Sequence, residues 1–323
     1  MELSGKRIVV TGAAGFIGSN LTDKLLELGA NVIGIDNLFN GRRSNLSNAL
    51  KNTNFEFYKA DVRDLNFLLD LFEDVNVIFH EAAFTSVPQS VMMPENCNDV
   101  NVNGIINILN AARKKDVENV VFASSSSVYG DTPTLPKKEN MRRLPISPYG
   151  VSKLACEAYM QVYYHVYGIK TTTLRYFNVY GPRQRDSPYS GVIAIWLGNI
   201  IRDEDLVIFG DGKQSRDFTY VEDVLEANLL AMNNTYPGEI INIGAGSPIT
   251  LNDLAHLMVK ISGKTTLNIK HTDPRPGDIV HSFADISKAR DILGFNPQYS
   301  QEQGLKEYFK WYSIKHNITL GIS

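Results

Sequence analysis

Short β-branched runs alternate with stretches of helical periodicity through the first half of the chain, the pattern of βαβ units feeding a parallel sheet. The runs that read as strands are RIVVT (7–11), NVIGID (31–36), FEFYKAD (55–61), VNVIFHEA (75–82), NVVFAS (119–124) and KTTTLRYF (170–177). Between them, apolar spacing predicts helices over about 16–28, 64–73, 95–114 and 149–167. With right-handed crossovers these units wind into a doubly wound α/β sheet whose ligand crevice lies at the carboxyl ends of the strands.

Beyond residue 180 the rhythm changes. Gly and Pro cluster in YGPRQRDSPYSG (180–191), FGDGKQ (209–214) and HTDPRPGD (271–278), and shorter helices are expected near 192–202, 221–232, 251–262, 285–293 and 302–312. The expectation is a nucleotide-binding domain over 1–180, to which segments near 217–247 return, and a smaller α/β substrate lobe over 181–323. No repeat period, low-complexity linker or heptad pattern interrupts this organisation.

Composition narrows the classes. A chain of 323 residues, 43% hydrophobic and 21% charged, can bury one large core or two modest ones. Its net charge of −3 supplies no field for nucleic acid or anionic lipid, and the pairs Arg42-Arg43, Lys114-Lys115, Lys137-Lys138 and Arg142-Arg143 are scattered. Cys97 and Cys156 lack C-x-x-C partners and the six histidines lack metal-ligand spacing, so no metal is expected. The N-terminal MELSGKR has no apolar signal region, and the longest apolar-leaning run, GVIAIWLGNII (191–201), is too short to span a bilayer. A cytoplasmic protein without a membrane or nucleic-acid partner is therefore expected.

The first strand runs into TGAAGFIGS (11–19), placing Gly12, Gly15 and Gly18 before the first helix. Such glycines permit a tight turn and close approach of backbone to a pyrophosphate, which then sits on the positive helix N-terminus. Asp36 ends the second strand 18 residues after Gly18, where a carboxylate can bond an adenosine ribose diol. An acid there repels a 2′-phosphate and favours NAD over NADP, although Arg42 and Arg43 in the following loop are cations of the kind NADP uses. Asp61 and Val62 end the third strand at the adenine position, and His80 to Ala83 should lie beneath the cofactor.

A second cluster follows the fifth strand. Four serines, Ser124 to Ser127, open SSSSVYGD (124–131) at the mouth of what should be a core strand, and YGVSK (149–153) opens the next long helix. Tyr149 and Lys153 are four residues apart, hence on one helix face. An ammonium beside a phenol stabilises phenolate, so Lys153, aided by the positive charge of nicotinamide, is expected to lower the phenol's pKa toward neutrality and make Tyr149 a general base.

With these motifs in place the chain resembles the extended short-chain dehydrogenase/reductase family, specifically its NAD-dependent nucleotide-sugar epimerases. The resemblance spans nearly the whole chain: T-G-x-x-G-x-x-G at 11–18, Asp36, the serine strand, Tyr149-x-x-x-Lys153, RYFNVYGPRQ (175–184), SRDFTYVEDV (215–224) and RPGD (275–278). It implies a Rossmann-like fold and NAD held by Gly12, Gly15, Phe16, Ile17, Gly18, Asp36, Asn37, Asn40, Gly41, Asp61, Val62, Ala82, Ala83, Asn101, Ser124, Tyr149, Lys153 and Phe177. Related dehydratases carry T-D-E-V-Y-G and decarboxylases S-E-V-Y-G, whereas this chain has Ser126 and Ser127 where those acids fall. Elimination then lacks a proton donor at that point, and reversible oxidation and reduction at one carbon remains.

For a 4-epimerase the resemblance implies that Tyr149 removes the sugar O4 proton as hydride leaves C4 for NAD, that the 4-keto sugar turns, and that hydride returns to its other face. Lys153 would hold the nicotinamide ribose, with Ser125 or Ser127 bonding O4. The UDP-sugar would meet Ser86, Val87, Ser126, Asn178, Val192, Val207, Phe209, Arg216, Arg275, Asp278 and Ser282. Ser282 stands where epimerases limited to UDP-glucose and UDP-galactose carry a bulky tyrosine, so the 2-position pocket is expected to admit an N-acetyl group. The expected substrates are UDP-N-acetylglucosamine and UDP-N-acetylgalactosamine together with the plain pair. The rivals are a UDP-glucuronate 4-epimerase, which tends to carry Thr at position 178, and a catalytically silent nucleotide-sugar-binding regulator on the same fold. Arg175 is expected in a structural ion pair, Tyr159, Tyr163, Tyr164 and Tyr167 on a dimer or core face, and a homodimer through a four-helix bundle of helices 95–114 and 149–167.

Overall fold

The computed structural model describes residues 2–185, 187, 190–233, 236–274, 280–318 and 320. The first half of the chain alternates strand and helix: β1 (Arg7–Thr11), α1 (Phe16–Glu27), β2 (Asn31–Ile35), β3 (Phe55–Tyr58), α2 (Leu65–Leu71) and β4 (Val77–His80). Three helices, α3 (Val87–Met92), α4 (Pro94–Asn98) and α5 (Gly104–Lys114), precede β5 (Asn119–Ser125), α6 (Pro148–Tyr167) and β6 (Lys170–Tyr176). Then come β7 (Asn178–Tyr180), α7 (Val192–Ile201), β8 (Leu206–Phe209), β9 (Ser215–Arg216), β10 (Phe218–Tyr220), α8 (Val221–Met232) and β11 (Glu239–Ile243). The chain finishes with β12 (Ile249–Thr250), α9 (Leu251–Ser262), β13 (Ile269–Thr272), β14 (His281–Ser282), α10 (Ser287–Leu293) and α11 (Gln301–His316).

Seven parallel strands form the central sheet in the order β11-β6-β5-β4-β1-β2-β3. Both faces are covered, which is why its strands read as near-continuous apolar runs. Ile8, Val10, Phe79, Val121 and Ile241 join one core with residues of α1 and α8, while Val9, Ile33, Ile78, Val120 and Phe122 join the other with α2, α5 and α6. The strand order reverses between β1 and β4, the switch point at which a doubly wound sheet opens its ligand crevice.

The expected strands and helices of the first half are present, with ends moved by a few residues, except that the single helix expected over 95–114 is broken. Between α4 and α5 the backbone makes a π turn over Asp99–Asn103. The turn places Asn101 where its side chain reaches Phe84 and Ser152 at once. Helix α3 was not foreseen: it holds six residues, too few to show a period, and Ser86 caps it by accepting from Gln89 N. The last helix starts at Ser300 with a capping box made with Gln303 and runs past the expected end to His316, where Asn317 closes it in the left-handed conformation. Smaller sheets, β10-β7, β12-β9-β14 and β13-β8, are made of strands too short to show alternation in the sequence.

Candidate functional site

The β1–α1 turn is built by two glycines. Gly12 has φ +68°, and a Cβ there would stand 2.8 Å from the Ala82 amide nitrogen; one on Gly18 would stand 2.2 Å from the Gly12 carbonyl oxygen. Neither position tolerates a side chain without moving backbone. No side chain caps α1 at Gly15, so its first turn presents the positive end of the helix dipole to the cavity that Gly15, Phe16, Ile17 and Gly18 line. Asp36 accepts from Ala14 N at 3.0 Å and Leu38 N at 2.7 Å. Burial pushes its carboxyl pKa up while these two amides pull the other way. At the end of β3, Asp61 accepts from Arg63 Nε (2.9 Å) and Asn37 Nδ2 (2.9 Å), and the guanidinium holds its carboxyl well below the usual range.

The opposite end of the cavity holds the serine and tyrosine. Ser125 ends β5, its Oγ accepts from Ser127 N at 3.2 Å, and it lies close enough to the Tyr149 phenol to favour its ionised form. Helix α6 starts here because Ser147 caps it, accepting from Gly150 N at 3.1 Å, with Pro148 in the first turn. Lys153, one turn on, donates to the Ala123 carbonyl at 2.7 Å and lies over the Phe122 ring.

The protein groups by themselves push the Tyr149 phenol upward, so the expected lowering toward neutrality depends on the charge that nicotinamide brings. Burial pushes the phenol up to about 12, and the nearby Ser125 only partly offsets this. The Lys153 ammonium is committed to the Ala123 carbonyl and is itself lowered by burial. His80, bonded to Thr11 Oγ1 at 2.7 Å, is lowered to about 3 by burial and is neutral.

Behind the serines runs a buried polar chain. Ser124 Oγ donates to Glu157 Oε1 at 2.6 Å, Glu157 forms a two-point ion pair with Arg175 at 2.7 Å, and Arg175 donates to Tyr129 Oη, which donates to Asn242. Arg175 is thus the structural ion pair the sequence suggested. Asn101 Oδ1 accepts from Phe84 N at 2.7 Å and its amide donates to Ser152 at 2.8 Å, tying the segment after β4 to α6.

One cavity of about 1170 Å³ brings together Gly12, Gly15, Phe16, Ile17, Gly18, Asp36, Asn37, Asn40, Gly41, Asp61, Val62, Ala82, Ala83, Ser86, Val87, Ser125, Tyr149 and Asn178. Lys153, Asn101, Ser124 and Phe177 are buried behind its wall. Ser126 and Ser127 stand outside its lining, in the short turn after β5, with the Ser127 hydroxyl buried and unbonded.

Five of the substrate-side residues, Ser86, Val87, Ser125, Tyr149 and Asn178, line this cavity, whereas Val192, Val207, Phe209, Arg216 and Ser282 do not. Val192 begins α7, and the Val207 and Phe209 carbonyls in β8 accept from Trp196 and Gln214. Arg216 donates to the Ser215 and Val280 carbonyls and sits in register with Ser282 across β9 and β14. Arg275 and Asp278 lie outside the described residues. Sequence reasoning did not single out Glu81, Arg183, Trp311 and Lys315, all of which line the cavity. Glu81 lies in the stretch expected beneath the cofactor and Arg183 in the RYFNVYGPRQ motif, where neither stands out, while Trp311 and Lys315 come from a helix end that carries no local motif.

A glycine turn that a Cβ would fill, an uncapped helix start, a ribose-positioned acid and a hydroxyl pair at the far end fit a dinucleotide laid across the carboxyl edge of the sheet. Together they define an α/β dinucleotide-binding enzyme. A sequence model of the NAD dependent epimerase/dehydratase family matches residues 8–244, and the chain belongs to that family. It is 42% identical to a putative UDP-glucose 4-epimerase of Methanocaldococcus jannaschii over 96% of this chain and 99% of the relative. Its backbone superimposes with a TM-score of 0.93 on a UDP-N-acetylglucosamine 4-epimerase from Methanobrevibacter ruminantium solved with UDP-N-acetylmuramic acid (39% identity, 98% and 100% coverage). A UDP-glucuronic acid 4-epimerase from Bacillus cereus, solved with NAD, gives 0.88 at 33% identity, with 96% and 99% coverage. Among the described residues no helix is long and apolar enough to cross a membrane, and no group of three His, Cys, Asp or Glu is placed to hold a metal.

Proposed function

We propose that this enzyme interconverts UDP-sugars epimeric at C4, acting on UDP-N-acetylglucosamine and UDP-N-acetylgalactosamine and on the UDP-glucose and UDP-galactose pair. The observation that carries the reading is that Ser125 and Tyr149 line the same cavity as Asp36 and the glycine turn, with the serine close enough to favour the ionised phenol. Bound NAD supplies a hydride acceptor that returns what it takes. Tyr149 accepts the proton of the C4 hydroxyl and gives it back, while Ser125 donates to the same oxygen and fixes its position. Lys153, anchored on Ala123, holds the floor of the site beneath them. Because burial raises the phenol, its activation leans on the positive charge that NAD brings.

Ser126 and Ser127 place no acid behind Ser125, which favours this reading over dehydration. Asn178, lining the cavity and bonded to the Asp217 carbonyl, favours it over the glucuronate rival. The small side chain of Ser282 supports a roomy 2-position pocket, and Arg216, Arg275 and Asp278 complete the proposed set from the sequence, the two arginines as partners for the diphosphate. A stripe of outward apolar residues along α6, Val151, Tyr159, Val162 and Val166, supports a homodimer through α5 and α6.

Incubation with each UDP-sugar and resolution of the products tests the reading. Tyr149→Phe should keep NAD and lose nearly all epimerisation; undiminished turnover removes Tyr149 from its role. Ser282→Tyr should suppress the acetylated pair and spare the plain sugars, whereas equal loss of both sinks the pocket argument.

A further inference from the structure

Among the described residues, Glu81 is the one cavity-lining acid at the reactive end. The other two described acids that line it, Asp36 and Asp61, follow β2 and β3 at the end of the glycine turn. The Glu81 carboxyl is enclosed by protein except where it opens on the cavity, and its Oε1 accepts from Tyr176 Oη at 2.9 Å, an oxygen that in turn accepts from Asn228 Nδ2 at 2.7 Å. Among the described residues it has no ion pair.

The groups facing it are Tyr176 on β6, and Lys153 and Tyr149 on α6, both within electrostatic reach. Its neighbour on β4, His80, is neutral. Glu157, the other acid near Lys153, is already held by Arg175 and Ser124. A cation arriving beside Tyr149 therefore meets one fixed positive charge, Lys153, and one carboxyl free to answer it.

We propose that Glu81 is the counter-ion for the nicotinamide end of NAD, giving up a proton to solvent when the oxidised cofactor binds and regaining it when the positive charge is gone. The inference rests on the reading of the cavity as the NAD site. Burial, the largest influence on the carboxyl, raises it to about 7, so near neutrality it is poised between both forms. An adjacent positive charge favours the carboxylate, and a neutral dihydronicotinamide does not. The step balances as one proton released for each protonated Glu81 that meets the cation, with no redox change in the protein.

Linkage then makes NAD affinity rise about tenfold from pH 6 to pH 8, while NADH affinity stays flat over that window. The test is calorimetric titration of NAD and of NADH into the full chain freed of dinucleotide, at pH 7 in buffers of different ionisation heat. Wild type, Glu81→Gln and Tyr149→Phe are compared. About half a proton should be released with NAD in wild type and in Tyr149→Phe, and none in Glu81→Gln or with NADH. Release that persists in Glu81→Gln but vanishes in Tyr149→Phe assigns the proton to the phenol and overturns the proposal, as does equal release with NADH. If Glu81→Gln does not fold, the Tyr149→Phe protein decides: release retained supports the carboxyl, and release lost overturns it. Failure of wild type to bind either dinucleotide refutes instead the reading of the cavity.

Discussion

Replacing Glu157 with Gln removes one charge from a pair sealed under the serine strand. Arg175 is 0% exposed and Glu157 2%, and the carboxylate accepts from Arg175 Nε and Nη2 at 2.7 Å each and from Ser124 Oγ at 2.6 Å. The amide keeps one acceptor but turns an NH₂ toward a guanidinium that no water reaches. Breaking a buried pair by neutralising one partner costs about 3–5 kcal/mol, because the surviving charge stays desolvated and uncompensated. Urea unfolding at pH 7, followed by fluorescence, should show a fall in the midpoint at unchanged slope equivalent to about 3–4 kcal/mol. The double replacement Glu157→Met with Arg175→Met should recover more than half of that loss, since it removes both charges together. Turnover should also fall in Glu157→Gln, because Ser124 precedes the Ser125 that positions Tyr149. A loss below about 1 kcal/mol would refute the argument, since a surface pair is worth that little.

Two further expectations follow from the geometry. Gly18→Ala forces a Cβ to within 2.2 Å of the Gly12 oxygen, so NAD binding, read by equilibrium dialysis, should weaken at least about a hundredfold even in molecules that fold; retained affinity would show that the turn yields. For Glu81, the folded state holds its proton more tightly than the unfolded chain, so its contribution to stability is fully present below about 4.5 and lost as pH rises through about 7. Cavity water offsets part of this, and Glu81→Gln should gain about 1–3 kcal/mol on wild type between pH 5 and pH 8 in urea titrations; the same gap at both pH values would contradict it.

What the sequence disclosed was whatever a few consecutive residues decide. Gly12, Gly15 and Gly18 announce a turn by themselves, and Tyr149 and Lys153 share a face by their spacing alone. The polar chain from Ser124 to Asn242 draws on β5, α6, β6 and β11, and no single stretch signals that these meet. The π turn is likewise silent, because the weak helix formers of Asp99–Asn103, Asp, Val and Asn, specify no particular turn by themselves. The upward push of burial on the phenol is silent for a related reason: proximity of Tyr149 and Lys153 on a helix says nothing about the Ala123 carbonyl that takes one of the ammonium's donors or about the depth of burial. The argument from serines at 126 and 127 stands for those positions, yet the cavity does contain a carboxyl, Glu81, from another strand.

The place of β11 at the outer edge of the sheet bears on how the protein is made. Residues 239–243 pair in register with 172–176, so a nascent chain that has emerged through β6 still carries a bare strand with unpaired backbone groups. Asn242, the partner of Tyr129 in the buried polar chain, is also still to come. Folding of the first half during synthesis therefore stalls one strand short, and completion waits for about 60 more residues, several seconds at cellular elongation rates. For that interval the edge formed by β6 is a template for any extended segment, and chaperone demand or mispaired dimers should concentrate there.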